Sequence, residues 1–111
     1  MKFYRVCHID TQQGLWYSQE GDFLGLIHNE FRFCKNNELR MDFDPDIVGY
    51  LSATPSLEEL YLWFPREDIL RLQECGWYIH EYEAEDHKFY ERFQHTIINQ
   101  DTSKVVRIIE L

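Results

Sequence analysis

The chain has 111 residues, with 20 Asp and Glu against 11 Lys and Arg, a net charge of −9 and an aromatic content of 16%. That length suits a single α/β domain over residues 1–111, with one hydrophobic core and no need of disulfide staples. The charge speaks against a nucleic-acid backbone as ligand, which needs clustered cations, and no apolar run is long enough for a membrane span.

The opening stretch MKFYRVCHID turns polar too soon for a signal peptide. Cys7, Cys34 and Cys75 are an odd set without a close pair, which fits buried, reduced thiols and a cytoplasmic setting. The surplus of acids serves solubility, or it forms an acidic face that docks on a basic partner.

Phe3–Ile9 is rich in β-branched and aromatic residues and is predicted to be the first strand. Alternation puts Phe3, Arg5 and Cys7 on one face, with Tyr4, Val6 and His8 on the other. Arg5 interrupts an apolar run. It is either paired with a carboxylate or placed at an edge, or it anchors an anionic ligand, for which a guanidinium is suited. Asp10–Gly14 reads as a polar turn, Leu15-Trp16-Tyr17 as a short extended piece, and residues 19–22 as a turn before Phe23–Ile27. His28–Asn37 reads as irregular. Asp42, Asp44 and Asp46 alternate as in a calcium loop, but Pro45 interrupts them. Ile47 also stands where glycine is needed, and Ala53 where the bidentate Glu belongs.

Ile47–Ala53 reads as a short buried strand or turn. Ser56 with Glu59 forms a capping-box pattern, and Leu57, Leu60, Tyr61 and Phe64 follow on one helical face. Pro65 ends that helix and suits the start of a second, which Glu67 and Asp68 favour and Gly76 terminates. Trp77–Tyr82 alternates as a strand, with Trp77, Ile79 and Glu81 on one face. Glu81, Glu83, Glu85 and Asp86 make an acidic patch beyond it. Phe89–Phe93 fits helix or loop. His95–Ile98 and Lys104–Leu111, around the polar turn Asn99–Ser103, read as a closing hairpin.

Chemistry-bearing motifs are sparse. Cys7, His8, His28 and Cys34 lack the paired spacing of a structural zinc site, so no metal is expected. No G-x-S-x-G elbow, Walker pattern or G-x-G-x-x-G occurs in the sequence. His80 and His95 titrate near neutrality when unperturbed and are candidate general bases, or else hydrogen-bonded strand residues. Trp16, Tyr17, Tyr50, Trp63 and Trp77 are core aromatics, with one or two available to line a groove.

Tyr4-Arg5-Val6, Gly14-Leu15-Trp16-Tyr17, Leu51-Ser52, Leu57–Phe64 and Gly76–Tyr82 together resemble small bacterial and phage proteins similar to the compact mono-ADP-ribosyltransferase-like fold. The resemblance implies Arg5 on the phosphates or ribose of NAD or a related nucleotide, Ser52 in the nicotinamide-side pocket, Gln94 as the late polar residue, and Tyr17 and Trp63 as aromatic walls. The late position holds Gln94 where the transferases use Glu, so the resemblance covers binding without catalysis as well as a degenerate transferase.

The expected fold is α+β, a small twisted, mostly antiparallel sheet with two short consecutive helices on one side. Two functions compete. One is a small nucleotide-binding domain. The other is a non-enzymatic acidic accessory protein, phage-encoded and in the host cytoplasm, that inhibits or sequesters a host defence component through Asp42, Asp44, Asp46, Glu81, Glu83 and Glu85.

Overall fold

The structure, a computed structural model, describes residues 1–15 and 44–111. Its elements in chain order are β1 (Lys2–His8), a 3-10 turn (Pro45–Ile47), β2 (Tyr50–Ala53), α1 (Leu57–Trp63), α2 (Arg66–Glu74), β3 (Trp77–Glu83), β4 (His87–Tyr90), β5 (His95–Asn99) and β6 (Lys104–Ile109). The strands form two antiparallel sheets, ordered β1-β3-β6 and β2-β5-β4. This is the α+β, mostly antiparallel architecture expected from the sequence.

The period-two pattern explains how the first sheet is covered. Val6 pairs with Ile79 across β1 and β3, and both are buried with Leu60, Phe64, Ile69 and Leu72 of the helical segment. Phe3 pairs with Tyr82 and faces the opposite way, packing with Ala53 and Ile98 of the second sheet. The first sheet therefore lies between the helices and the second sheet. Each large apolar side chain so buried contributes about 1.5–3 kcal/mol.

The helices start and stop where local chemistry dictates. The Glu59 amide donates to Ser56 Oγ at 3.2 Å, capping α1. Pro65 is the cap residue of α2, and the apolar stripe Leu57, Leu60, Tyr61, Phe64 faces the core. On α2 Ile69 and Leu72 are buried, while Leu70 is exposed. Gly76 has φ +93°, and a Cβ there would come within 3.2 Å of His8 Nε2. Gly76→Ala is expected to cost about 1–2 kcal/mol in urea unfolding, because a side chain is strained at that φ and His8 must also move.

Several expectations are corrected. β5 and β6 do not form a hairpin. β5 is hydrogen-bonded to β2 on one edge and β4 on the other, so no edge is left for β6, which takes the second edge of β3. The Asn99–Ser103 turn redirects the chain between sheets: Asn99 Oδ1 accepts from the Asp101 and Thr102 amides at 2.9 and 3.3 Å. The segment beginning at Phe89 is neither helix nor plain loop, since Phe89 and Tyr90 close β4. In Ile47–Ala53 only Ala53 is buried, and Val48 is 68% exposed. Of the two described thiols Cys7 is buried, but Cys75 is exposed just beyond the end of α2. The extended piece at Trp16-Tyr17, the turn at 19–22, Phe23–Ile27, His28–Asn37 with Cys34, and residues 41–43 lie outside the described residues.

Candidate functional site around Arg5 and Ser52

The two sheets meet at one corner. Tyr4 and Thr54 exchange a pair of backbone hydrogen bonds, each 2.8 Å, which brings the end of β2 against β1. Thr54 Oγ1 donates to the Ser56 carbonyl at 2.9 Å, tying the corner to the cap of α1. Arg5 is thereby set beside Ser52.

Arg5 is buried to 7% exposure. Its Nε donates to the Ser52 carbonyl at 3.2 Å and its Nη1 to the Gln12 carbonyl at 2.8 Å. Gln12 sits in the left-handed region at φ 60°, within the tight turn after β1, and Gln12 Oε1 accepts from Tyr82 Oη at 2.7 Å. The guanidinium lies 6.0 Å from the centre of the Tyr82 ring. Burial pushes the Tyr82 hydroxyl up to about 12 and raises the Cys7 thiol beside it.

Ser52 faces a histidine. Its Oγ is 2.9 Å from His95 Nε2, and both residues are held by the β2–β5 ladder, in which Ala53 pairs with Thr96. The His95 ring lies edge-on to Trp63 with centres 5.2 Å apart, and stacks on Phe93 at 5.7 Å. Burial among these groups lowers its pKa to about 4, against the opposing pull of a hydrogen bond to the Phe93 backbone. His95 is therefore neutral at pH 7. His80 is also buried, with Nδ1 2.9 Å from the Tyr78 carbonyl, and burial lowers its pKa.

Two hollows flank Arg5. The smaller, about 10 Å³, is walled by Tyr4, Arg5, Ser52, Leu60, Trp63 and Phe64 among others, and has room for one water-sized group. The larger, about 290 Å³, is mostly polar, with Thr11, Gln12, Gln13, Gln100 and Ser103 on its walls beside Arg5. Arg5, Ser52 and Trp63, three of the residues expected at a ligand site, thus share the smaller hollow. Gln94 borders neither. It is exposed at φ 55°, and its amide nitrogen donates to the Glu91 carbonyl at 2.6 Å, closing the β4–β5 turn. Tyr17 lies outside the described residues. The role of His95 as partner of Ser52 has no local signature, because only strand register brings the two together.

The acidic residues divide by placement. Asp44 is buried, caps the 3-10 turn, and accepts from Tyr90 Oη and from Arg92 Nη1 at 2.9 Å. These bonds, with that from Tyr90 foremost, lower its pKa. Glu81 is buried and accepts from Arg107 Nε at 2.7 Å and Tyr4 Oη at 3.3 Å. Glu83 is half-exposed and holds the N-terminal amine and Lys2, which lower its pKa. Asp46 and Glu85 face outward, while Asp86 Oδ2 accepts from Tyr50 Oη and Asn99 Nδ2. Asp42 lies outside the described residues. No group of three or more potential metal ligands occurs among the described residues, and no described helix is long and apolar enough to cross a membrane.

No curated protein and no solved structure matches the chain. The family model described as Bacteriophage T4 Y00F protein matches residues 1–111, its whole length. The chain therefore belongs to the Bacteriophage T4 Y00F protein family, a family of phage proteins.

Proposed function

We propose that the protein is a phage-encoded accessory protein that acts in the host cytoplasm by binding, its acidic exterior docking on a basic surface of a host defence component and blocking it. The observation that carries this reading is where the charge goes. The net charge is −9, and among the described residues Asp44, Asp68 and Glu81 are buried, the first and last each held by an arginine of the same chain, while most of the other acids are exposed. Asp46 and Glu85 face outward, and so do Glu58 and Glu59 on the first turn of α1. A field of one sign steers encounter with a basic partner and weakens with salt.

Protein immobilised through its C-terminus is expected to retain a host protein from infected-host lysate at about 0.05 M salt and to release it by about 0.3 M, as the screening length shortens. Asp46→Lys combined with Glu85→Lys is expected to lower that retention about tenfold or more, the scale of electrostatic steering. Retention unaffected by both salt and charge reversal would sink the reading.

A second reading, nucleotide binding, is favoured by the polar hollow beside Arg5. At about 290 Å³ it lies at the lower end of ligand pockets, a size suited to a nucleotide-like fragment more than to a whole dinucleotide. Calorimetric titration with NAD, ADP-ribose and cyclic nucleotides tests it, and the absence of heat with all of them argues for the docking surface alone.

A further inference from the structure

We propose that Ser52 is a nucleophile toward small carboxylic esters, with His95 as its general base. Three features lead there. Ser52 Oγ lies 2.9 Å from His95 Nε2, within the reach required of a nucleophile and its base. The ring is fixed on both sides by Trp63 and Phe93. In the tautomer with the ring proton on Nδ1, Nε2 is the acceptor and the Ser52 hydroxyl donates to it. A neutral imidazole in this tautomer is the form that accepts a proton. Finally, Ser52 is half-buried at the wall of a hollow that is otherwise lined by Tyr4, Val6, Leu60, Trp63 and Phe64, with the Arg5 guanidinium on the same wall.

The dimensions set the substrate class. A hollow of about 10 Å³ is at the lower limit for one water, so the shortest acyl group, acetyl, is the one assigned, with its methyl at the mouth of the hollow. The leaving alcohol must lie outside it. In the first step Ser52 Oγ bonds to the acyl carbon, its proton passes to His95 Nε2, and the ester C–O bond breaks as the alcohol leaves with that proton. In the second, water adds to the acyl carbon, gives a proton to His95 Nε2, and the Oγ–carbon bond breaks. Ser52 recovers the proton from His95, and acetic acid is released and ionises to acetate in solvent. Arg5 acts as a positioning residue, its Nε holding the Ser52 carbonyl at 3.2 Å.

The test uses the full-length protein and p-nitrophenyl acetate as probe, with peptide mass mapping of the product. Native protein is expected to carry one acetyl group on the Ser52 peptide, and protein held in urea is expected to carry none. Ser52→Ala should abolish the adduct. His95→Gln keeps a hydrogen-bond acceptor beside Ser52 but cannot take up the proton, and it should slow acetylation at least about 100-fold, the lower range of general-base contributions. Circular dichroism establishes that each variant is folded. A native protein that neither carries acetyl on Ser52 nor releases p-nitrophenolate faster than protein in urea, acetylation equal in folded and denatured protein, or a folded His95→Gln variant that reacts as fast as the parent would each overturn the assignment. If His95→Gln does not fold, the comparison of native with denatured parent decides the matter.

Discussion

Arg5→Ala is expected to lower the free energy of unfolding by about 3 kcal/mol, and Arg5→Lys by about half as much, measured by urea denaturation at pH 7. The reason is that this guanidinium holds two backbone carbonyls that are 47 and 7 residues away in sequence. A hydrogen bond from a charged donor is worth about 1.5–3 kcal/mol, and removing the donor leaves its acceptor poorly solvated. The carbonyls of Ser52 and Gln12 lie on different segments, so one planar fork spans what a single ammonium cannot. Lysine keeps the charge, but its donors all radiate from one nitrogen and do not reproduce the planar fork. An arginine serving only as an anchor for a visiting anion would behave differently. Its removal would leave stability within about 0.5 kcal/mol, as for surface sites. A stability loss below that level in Arg5→Ala would show that the corner between the sheets does not depend on it. The consequence for ligand work is direct: loss of nucleotide heat in Arg5→Ala would not separate binding from folding. Gln100→Glu is the cleaner probe, because Gln100 is exposed on the wall of the larger hollow and away from the β1–β2 corner.

How far the sequence foretold this arrangement follows from the range of the interactions. The helices were legible because their signals are local: a serine cap, an i, i+3, i+4, i+7 stripe, a proline and a terminal glycine. β1 was legible from its β-branched and aromatic content, and β3 because the helical period stops at Gly76. β4 was not, since His87, Lys88 and Phe89 are all exposed and the segment shows no apolar period. Its strand character comes from β5 alongside it. The false hairpin arose because β5 does pair with a sequence neighbour, but with β4 before it, and β2 fills its other edge. The site has the same character. Arg5, Ser52 and Trp63 were named through a family resemblance, and the fold gathers them at one hollow. His95 was a candidate general base by residue type alone, without its partner, because its approach to Ser52 depends on the register of strands 43 residues apart. Charge counting could not distinguish Asp44 and Glu81 from the outward acids, since what turns them inward is a distant arginine in each case.

The same histidine makes stability depend on pH. In the folded protein the His95 pKa is about 4, whereas an imidazole in the unfolded chain titrates near about 6.5. Between those values the unfolded chain binds more protons than the folded one, so stability rises with pH across the window. The contribution is complete above about pH 6.5 and is lost as pH falls toward 4. A depression of that size corresponds to an upper bound of about 3 kcal/mol, and partial access of water to the ring places the expected effect at about 2 kcal/mol. Desolvation is the cause. The Ser52 hydroxyl would accept from a protonated ring as readily as it donates to a neutral one, so the hydrogen bond itself does not resist protonation. Buried His80 acts in the same direction. Asp44 and Glu83, whose pKa values are lowered by their partners, add a separate loss as pH falls below the ordinary carboxylate range. His95→Phe isolates the histidine contribution, because a phenyl ring retains the packing between Trp63 and Phe93 without titrating. Urea unfolding of the parent at pH 7, 5.5 and 4.5 is expected to show a falling free energy, and the fall in His95→Phe is expected to be smaller by about 2 kcal/mol. Parallel pH profiles for the two proteins would mean that the imidazole is as well solvated in the folded chain as in the unfolded one.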